Sequence, residues 1–178
     1  MNLKVIHSEK RLCTCCMEEH EVKTVCVMEN ICFKDIPVEY EATYFYCDAA
    51  EELYMEEGMI IRNDIAMKDA YRKQKGLLTS KQISGIREKY GISQSDLCLL
   101  LGWDRKTITR YESHQVQDGE HDAILKKLDQ DPEWFLHLLS EARESLTIEA
   151  YRKYLNTATM LYEDSQDNSL YCIGGNSG

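Results

Sequence analysis

Residues 91–112, GISQSDLCLLLGWDRKTITRYE, decide how the chain is read, because they describe two short helices joined by a glycine turn, the second carrying cations on one side. Ser93 is placed to cap the first helix, whose apolar residues Leu97, Leu100 and Leu101 recur at helical spacing. Gly102 ends it where a left-handed backbone is needed. Asp104 is the expected cap of the second helix. Stepping about 100° per residue from Arg105 gathers Arg105, Lys106, Thr109 and Arg110 on one arc and leaves Thr107, Ile108, Tyr111 and Glu112 on the other. A short cationic, hydrogen-bonding arc is what a helix lying in a DNA major groove needs for phosphates and base edges. The opposite arc is the buried one, where an unpaired Glu112 would be costly. The spacing therefore predicts an ion pair between Glu112 and Arg87, late in the helix that crosses behind the motif.

The neighbouring segments extend this motif into a domain. TSKQISGIREKYG, from Thr79, reads as the preceding helix and HDAILKKLDQDPEWFLHLL, from His121, as the closing ones, with the proline of Asp131-Pro132 in the favoured first helical position. A helical domain over residues 77–142 follows, with Leu97, Leu100, Leu101, Ile108, Leu125 and Trp134 as its core and Cys98 packed on an apolar face. Residues 143–164 form a further amphipathic stretch, marked by Leu146, Ile148, Tyr151, Leu155, Ala158, Leu161 and Tyr162, with no obvious partner in the chain. Residues 165–178 read as a disordered tail.

Charge points to the same region. The chain carries a net charge of −10, which taken whole should repel DNA. Residues 1–70 hold 7 Lys/Arg against 15 Asp/Glu and residues 117–178 hold 5 against 12, whereas residues 71–116 hold 9 against 4. The basic segment is the one that contains the two-helix motif. No apolar run approaches the roughly 20 residues of a membrane span, and the N-terminus lacks the apolar block of a signal peptide. A cytoplasmic protein is expected, in which eight cysteines serve as thiols or metal ligands rather than disulfides.

Six of those cysteines fall in residues 1–58, where VKTVCV, ICFKDIPV and VEYEATYFYC are rich in β-branched and aromatic residues and read as short strands. Cys13-Thr14-Cys15-Cys16 contains C-x-x-C, a spacing that lets two thiolates from one turn face a single ion. His20 lies four residues further on, and Cys47 ends the last strand, so Cys13, Cys16, His20 and Cys47 make a closed set suited to zinc, with Cys15, Cys26 and Cys32 as alternatives. A second C-x-x-C is missing, since Cys47 is followed by Asp48, Ala49, Ala50 and Glu51. Residues 59–76, with Ile60, Ile61, Ile65, Met67 and Tyr71 near helical spacing, read as a linker helix. The fold class is α+β.

A cysteine module, a connecting helix and a helix-turn-helix in that order resemble the MqsA-like antitoxin family, in which a YgiT-type zinc finger precedes an Xre-type helix-turn-helix. The likeness is carried by Cys13 and Cys16, the late Cys47, S-Q-x-x-L from Ser93, and T-R-Y-E at Thr109 to Glu112 followed by a helix ending near Asp131-Pro132. The resemblance implies a lambda-repressor-like DNA-binding domain that forms a homodimer on double-stranded DNA and represses its own operon, and an N-terminal module that binds zinc and a protein toxin. It places DNA contacts on Lys106 and Arg110, with Arg105, Thr107, Thr109 and Gln94 beside them. A regulator without a toxin, and an adaptor whose helical domain binds protein, are the alternatives. An enzyme is not expected: the chain shows no nucleophile–base pair, phosphate loop or open metal site.

Overall fold

The computed structural model describes residues 3–173, with side chains through residue 167. The fold is α+β, among the described residues a four-stranded antiparallel sheet followed by seven α-helices, and the chain divides into two compact units, Met1–Gly76 and Leu77–Gly178.

In the first unit the strands β1 (Lys4–Leu12), β2 (Glu19–Phe33), β3 (Ile36–Cys47) and β4 (Glu52–Tyr54) lie side by side in chain order. The β2–β3 pairing runs without a break from Phe33 opposite Ile36 to Lys23 opposite Tyr46. Its two-residue turn has φ of 49° at Lys34 and 61° at Asp35, the left-handed pair that matches the twist of a hairpin. The segment ICFKDIPV, expected as one strand, therefore holds the turn.

Helix α1 (Glu57–Gln74) is more than a linker, because it covers the outer edge of β3 beyond the short β4. The Asn63 amide takes the place of a neighbouring strand: its Oδ1 accepts from the Thr43 backbone N–H at 2.8 Å and its Nδ2 donates to the Thr43 carbonyl at 2.9 Å. Gln74 does the same for the Pro37 carbonyl at 3.1 Å. Backbone groups that would otherwise be an exposed sheet edge are thus satisfied. The helix seats Met59 in the small core with Val22 and Phe45, while Ile60 and Ile61, read from sequence as part of the apolar face, are exposed.

The second unit contains α2 (Ser80–Lys89), α3 (Gln94–Leu100), α4 (Thr107–Ser113), α5 (Gly119–Gln130), α6 (Pro132–Glu141) and α7 (Ile148–Ile173). Thr79 and Gln82 form a capping box on α2, Ser93 caps α3 through the Asp96 N–H at 3.1 Å, and Asp131 caps α6 through the Trp134 N–H at 2.8 Å. Gly102 has φ of 66° and closes the turn between α3 and α4. Ile83, Leu97, Ile108, Leu125, Leu128 and Phe135 are fully buried. Phe135 stacks on Tyr90 with ring centroids 3.9 Å apart, so it fills the centre that Trp134 was expected to occupy. Trp134 is only partly buried.

Two expectations for the C-terminal region are corrected. Helix α7 has an intramolecular partner: it packs on α6, buries Tyr154 and Ala158, and the Tyr154 hydroxyl donates to Asp96 Oδ2 at 2.7 Å. It also continues to Ile173, so the stretch from Ser165 is helical rather than a disordered tail, and residues 174–178 lie outside the described residues. Among the described residues no helix is long and apolar enough to cross a membrane.

Candidate metal centre and nucleic-acid interface

The turn from β1 into β2 is built around Cys13. Its N–H donates to the Glu18 carbonyl at 2.9 Å and its carbonyl accepts from Met17 N–H at 2.8 Å, with Met17 at φ 63°. This tight loop points Cys13 and Cys16 to one side. His20 follows on β2, on the same face as Val22 by the two-residue period of a strand, and the pairing of Tyr46 with Lys23 brings Cys47 alongside. The result is that Cys13 Sγ, Cys16 Sγ, a ring nitrogen of His20 and Cys47 Sγ all lie within 4.8 Å of one another. Cys13 and Cys47 are fully buried, and this group could hold a metal ion. The alternatives are outside it: Cys15 faces the Glu52 carboxylate at 3.8 Å, while Cys26 lies mid-strand on β2 and Cys32 near the hairpin tip.

Hydrogen bonds orient the donors. His20 Nδ1 lies 2.8 Å from the Glu21 carbonyl, which fixes the proton there and leaves Nε2 facing Cys47 Sγ at 3.6 Å. The Ala50 N–H donates to Cys47 Sγ at 3.4 Å, and the Tyr54 hydroxyl sits 3.4 Å from Cys13 Sγ. Tyr54 has no motif signature and was missed by the sequence reading.

The electrostatics reflect sulfurs competing for one negative site. Burial works against the Cys13 thiolate, but Tyr54, the backbone amides of Cys16 and Cys15 and the His20 ring hold its pKa down to about 6. For Cys16 a backbone hydrogen bond from Glu18 favours the thiolate, and burial with the neighbouring Cys13 and Cys47 sulfurs outweighs it, so its pKa is raised. Burial, with Cys47 and Glu52 close by, pushes Cys15 up to about 11. The Glu21 carbonyl and the Cys13 sulfur raise His20 to about 9. A cation between these donors would relieve the repulsion that keeps them from ionising together.

In the second unit the residues expected to contact DNA fall into a turn and a short helix. Arg105 and Lys106 precede α4 rather than lying on its first turn. The Asp104 carboxylate accepts from the Lys106 N–H at 3.2 Å, closing a turn, and α4 starts at Thr107 without the side-chain cap expected from Asp104. Arg105, Lys106 and Thr109 are exposed; Arg110 is half-buried and lies 3.5 Å from Asp104. Thr107, placed beside the DNA contacts by the family likeness, is buried on the inner face, as its helical position requires. Ser93, Gln94, Arg105, Lys106 and Thr109 line a groove of about 500 Å³.

Behind this surface Arg87 Nε and Nη2 meet the Glu112 carboxylate at 2.7 and 3.3 Å. Gln94 donates from Nε2 to Glu112 at 2.6 Å and accepts from the Thr109 hydroxyl at 2.8 Å. The side chain expected to contact DNA is therefore also a bridge from the ion pair to the outer face of α4. The chain matches no protein-family model, no curated protein and no solved structure.

Proposed function

We propose that the chain is a sequence-specific DNA-binding repressor of the antitoxin type, acting as a homodimer, with a structural zinc ion in its N-terminal unit and a protein toxin as the partner of that unit. The observation that carries the reading is the exposed set Arg105, Lys106 and Thr109, with Arg110 beside it, on a two-helix motif whose second helix is braced from behind by Arg87, Glu112 and Gln94. Phosphates would be met by the cations of the turn and base edges by Arg110, Thr109 and Gln94. The acidic remainder of the chain lowers nonspecific attraction to the phosphate backbone, so specificity rests on this small surface.

Zinc fits the donor set of the first unit. Three thiolates and one imidazole close a four-coordinate site with no open position, as structural zinc requires. Tetrahedral zinc separates an imidazole nitrogen from a thiolate sulfur by roughly 3.6 Å, and His20 Nε2 lies 3.6 Å from Cys47 Sγ. A mobility-shift titration of the full chain on fragments of its own promoter, against the double variant K106A/R110A, tests the reading. Binding that is specific and lost in the variant supports it, and no binding to any promoter fragment rejects it.

A further inference from the structure

Thr109 is exposed on α4, yet its hydroxyl is engaged sideways: Oγ1 donates to Gln94 Oε1 on α3 at 2.8 Å. That acceptor is itself held. Gln94 Nε2 donates to Glu112 Oε2 at 2.6 Å, and the same carboxylate is gripped by Arg87 at 2.7 and 3.3 Å. The direction of every bond in this chain is forced from its far end. A guanidinium can only donate and the carboxylate paired with it can only accept, so the amide nitrogen of Gln94 must face Glu112 and its oxygen must face Thr109. The threonine is then the donor, and its one hydroxyl hydrogen is used.

Thr109 therefore has no proton to give to the acceptors of the major groove, N7 and O6 of guanine, N7 of adenine and O4 of thymine. A β-branched side chain has a single χ1, so fixing Oγ1 towards Gln94 also fixes the γ-methyl away from it. The residues around it, Arg105, Lys106 and Arg110, are cations suited to phosphates and to guanine. Thymine is the base that carries a methyl on its major-groove edge.

We propose that Thr109 selects thymine, by contact of its γ-methyl with the thymine C5-methyl, and that Gln94 is the positioning residue that turns this methyl outward. The inference rests on the DNA-binding reading above and adds the base that one position of the surface prefers.

The experiment is a mobility-shift titration of the full chain on its promoter fragment, with each thymine replaced in turn by deoxyuridine. That change removes the methyl and leaves every hydrogen-bonding group of the base edge. For at least one thymine the parent should bind the uracil form about three- to tenfold more weakly, the worth of one buried methyl contact. T109V keeps a methyl and loses the hydroxyl, so it should retain that ratio. T109S keeps the hydroxyl and loses the methyl, so it should bind the two forms equally. Q94A frees the hydroxyl to turn outward and should bring the ratio towards one, whatever it does to overall affinity. Thermal melts of T109V and T109S should match the parent, since Thr109 is exposed. A parent that binds its promoter but distinguishes no uracil fragment overturns this inference and leaves DNA binding standing. So does a ratio that survives in T109S or Q94A, or one that is lost in T109V. Failure to bind any promoter fragment rejects the DNA-binding reading, and this inference falls with it.

Discussion

The guanidinium of Arg87 on α2 grips the carboxylate of Glu112 at the end of α4 through two nitrogens, at 2.7 and 3.3 Å, with both side chains largely buried. Arg87 also donates from Nη1 to the Ile92 carbonyl at 3.2 Å, so one cation ties α4 to the loop that precedes α3. Removing either partner leaves a buried charge without its counterion, a loss of about 2–3 kcal/mol. R87A and E112A should each lower the urea midpoint accordingly. The double variant should cost clearly less than the sum, since both singles break one interaction. Strict additivity would show that the two residues do not work as a pair.

The different placements of four residues on α4 and in the turn before it give different expected losses. R110A should weaken promoter binding by about 1–3 kcal/mol, because Arg110 is the half-buried cation on α4 itself, 3.5 Å from Asp104. R105A and K106A, in the exposed turn, should weaken binding similarly on all sequences and each reduce the salt slope by about one. T107A should act on stability instead, because Thr107 is buried. Filter binding at several salt concentrations, with thermal melts in parallel, resolves these patterns. A T107A protein of unaltered stability with lost DNA affinity would falsify the assignment of faces.

What was legible from sequence was chemistry that acts over a few residues or requires an obligatory partner. Ser93, Gly102 and Asp131 declare helix ends because each supplies a cap or a left-handed backbone that its neighbours cannot. Glu112 declares a partner because of its helical position. What was hidden depended on contacts without a periodic signature. Strand β1 is exposed over nearly all of its length and shows no alternation, so it passed unread. The role of α1 rests on Asn63 and Gln74 answering the backbone of β3, which an apolar count of the helix does not register. The late start of α4 comes from Asp104 bonding the second N–H after it, an event of turn geometry that competes with capping. The four metal-site donors were readable because their chemistry narrows the choice, whereas Tyr54 beside them was not.

Asp122 on α5 gives the helical unit an acid-sensitive tie. It is buried, accepts from the Leu78 N–H at 2.8 Å and from Gln117 Nε2 at 2.9 Å, and pairs with Lys126 at 2.7 Å. Burial alone would raise its pKa, but Lys126, Leu78 and Gln117 together lower it below the usual carboxylate value. A carboxylate depressed on folding adds stability that is fully present above its unfolded pKa, near 4, and is lost as pH falls through the folded value. Between pH 7 and pH 3 the parent should therefore lose more stability than D122N. At pH 7 that variant should be weaker by about 1–3 kcal/mol. Urea melts at the two pH values compare them, and equal losses in parent and variant would remove Asp122 from the account.

The metal centre makes the most demanding prediction, because its donors are part of the core they stabilise. Cys13 and Cys47 are two of the five buried residues in the cluster they share with Val22, Phe45 and Met59. With an ion bound, so small a core would gain much of its folding free energy from it. Purified protein should carry one zinc per chain, reduced to none in C47S or H20A and unchanged in C15S, whose sulfur faces Glu52 outside the four donors. Chelation should collapse amide protection over β1–β4 while the amides of α2–α6, resting on Leu97, Ile108, Leu125 and Phe135, stay protected. Affinity should fall on acidification, since three thiolates and an imidazole must shed protons to bind. Hydrogen exchange before and after chelation, with metal content measured on the same samples, decides it. A metal-free protein with a fully protected sheet would reduce the four donors to ordinary side chains.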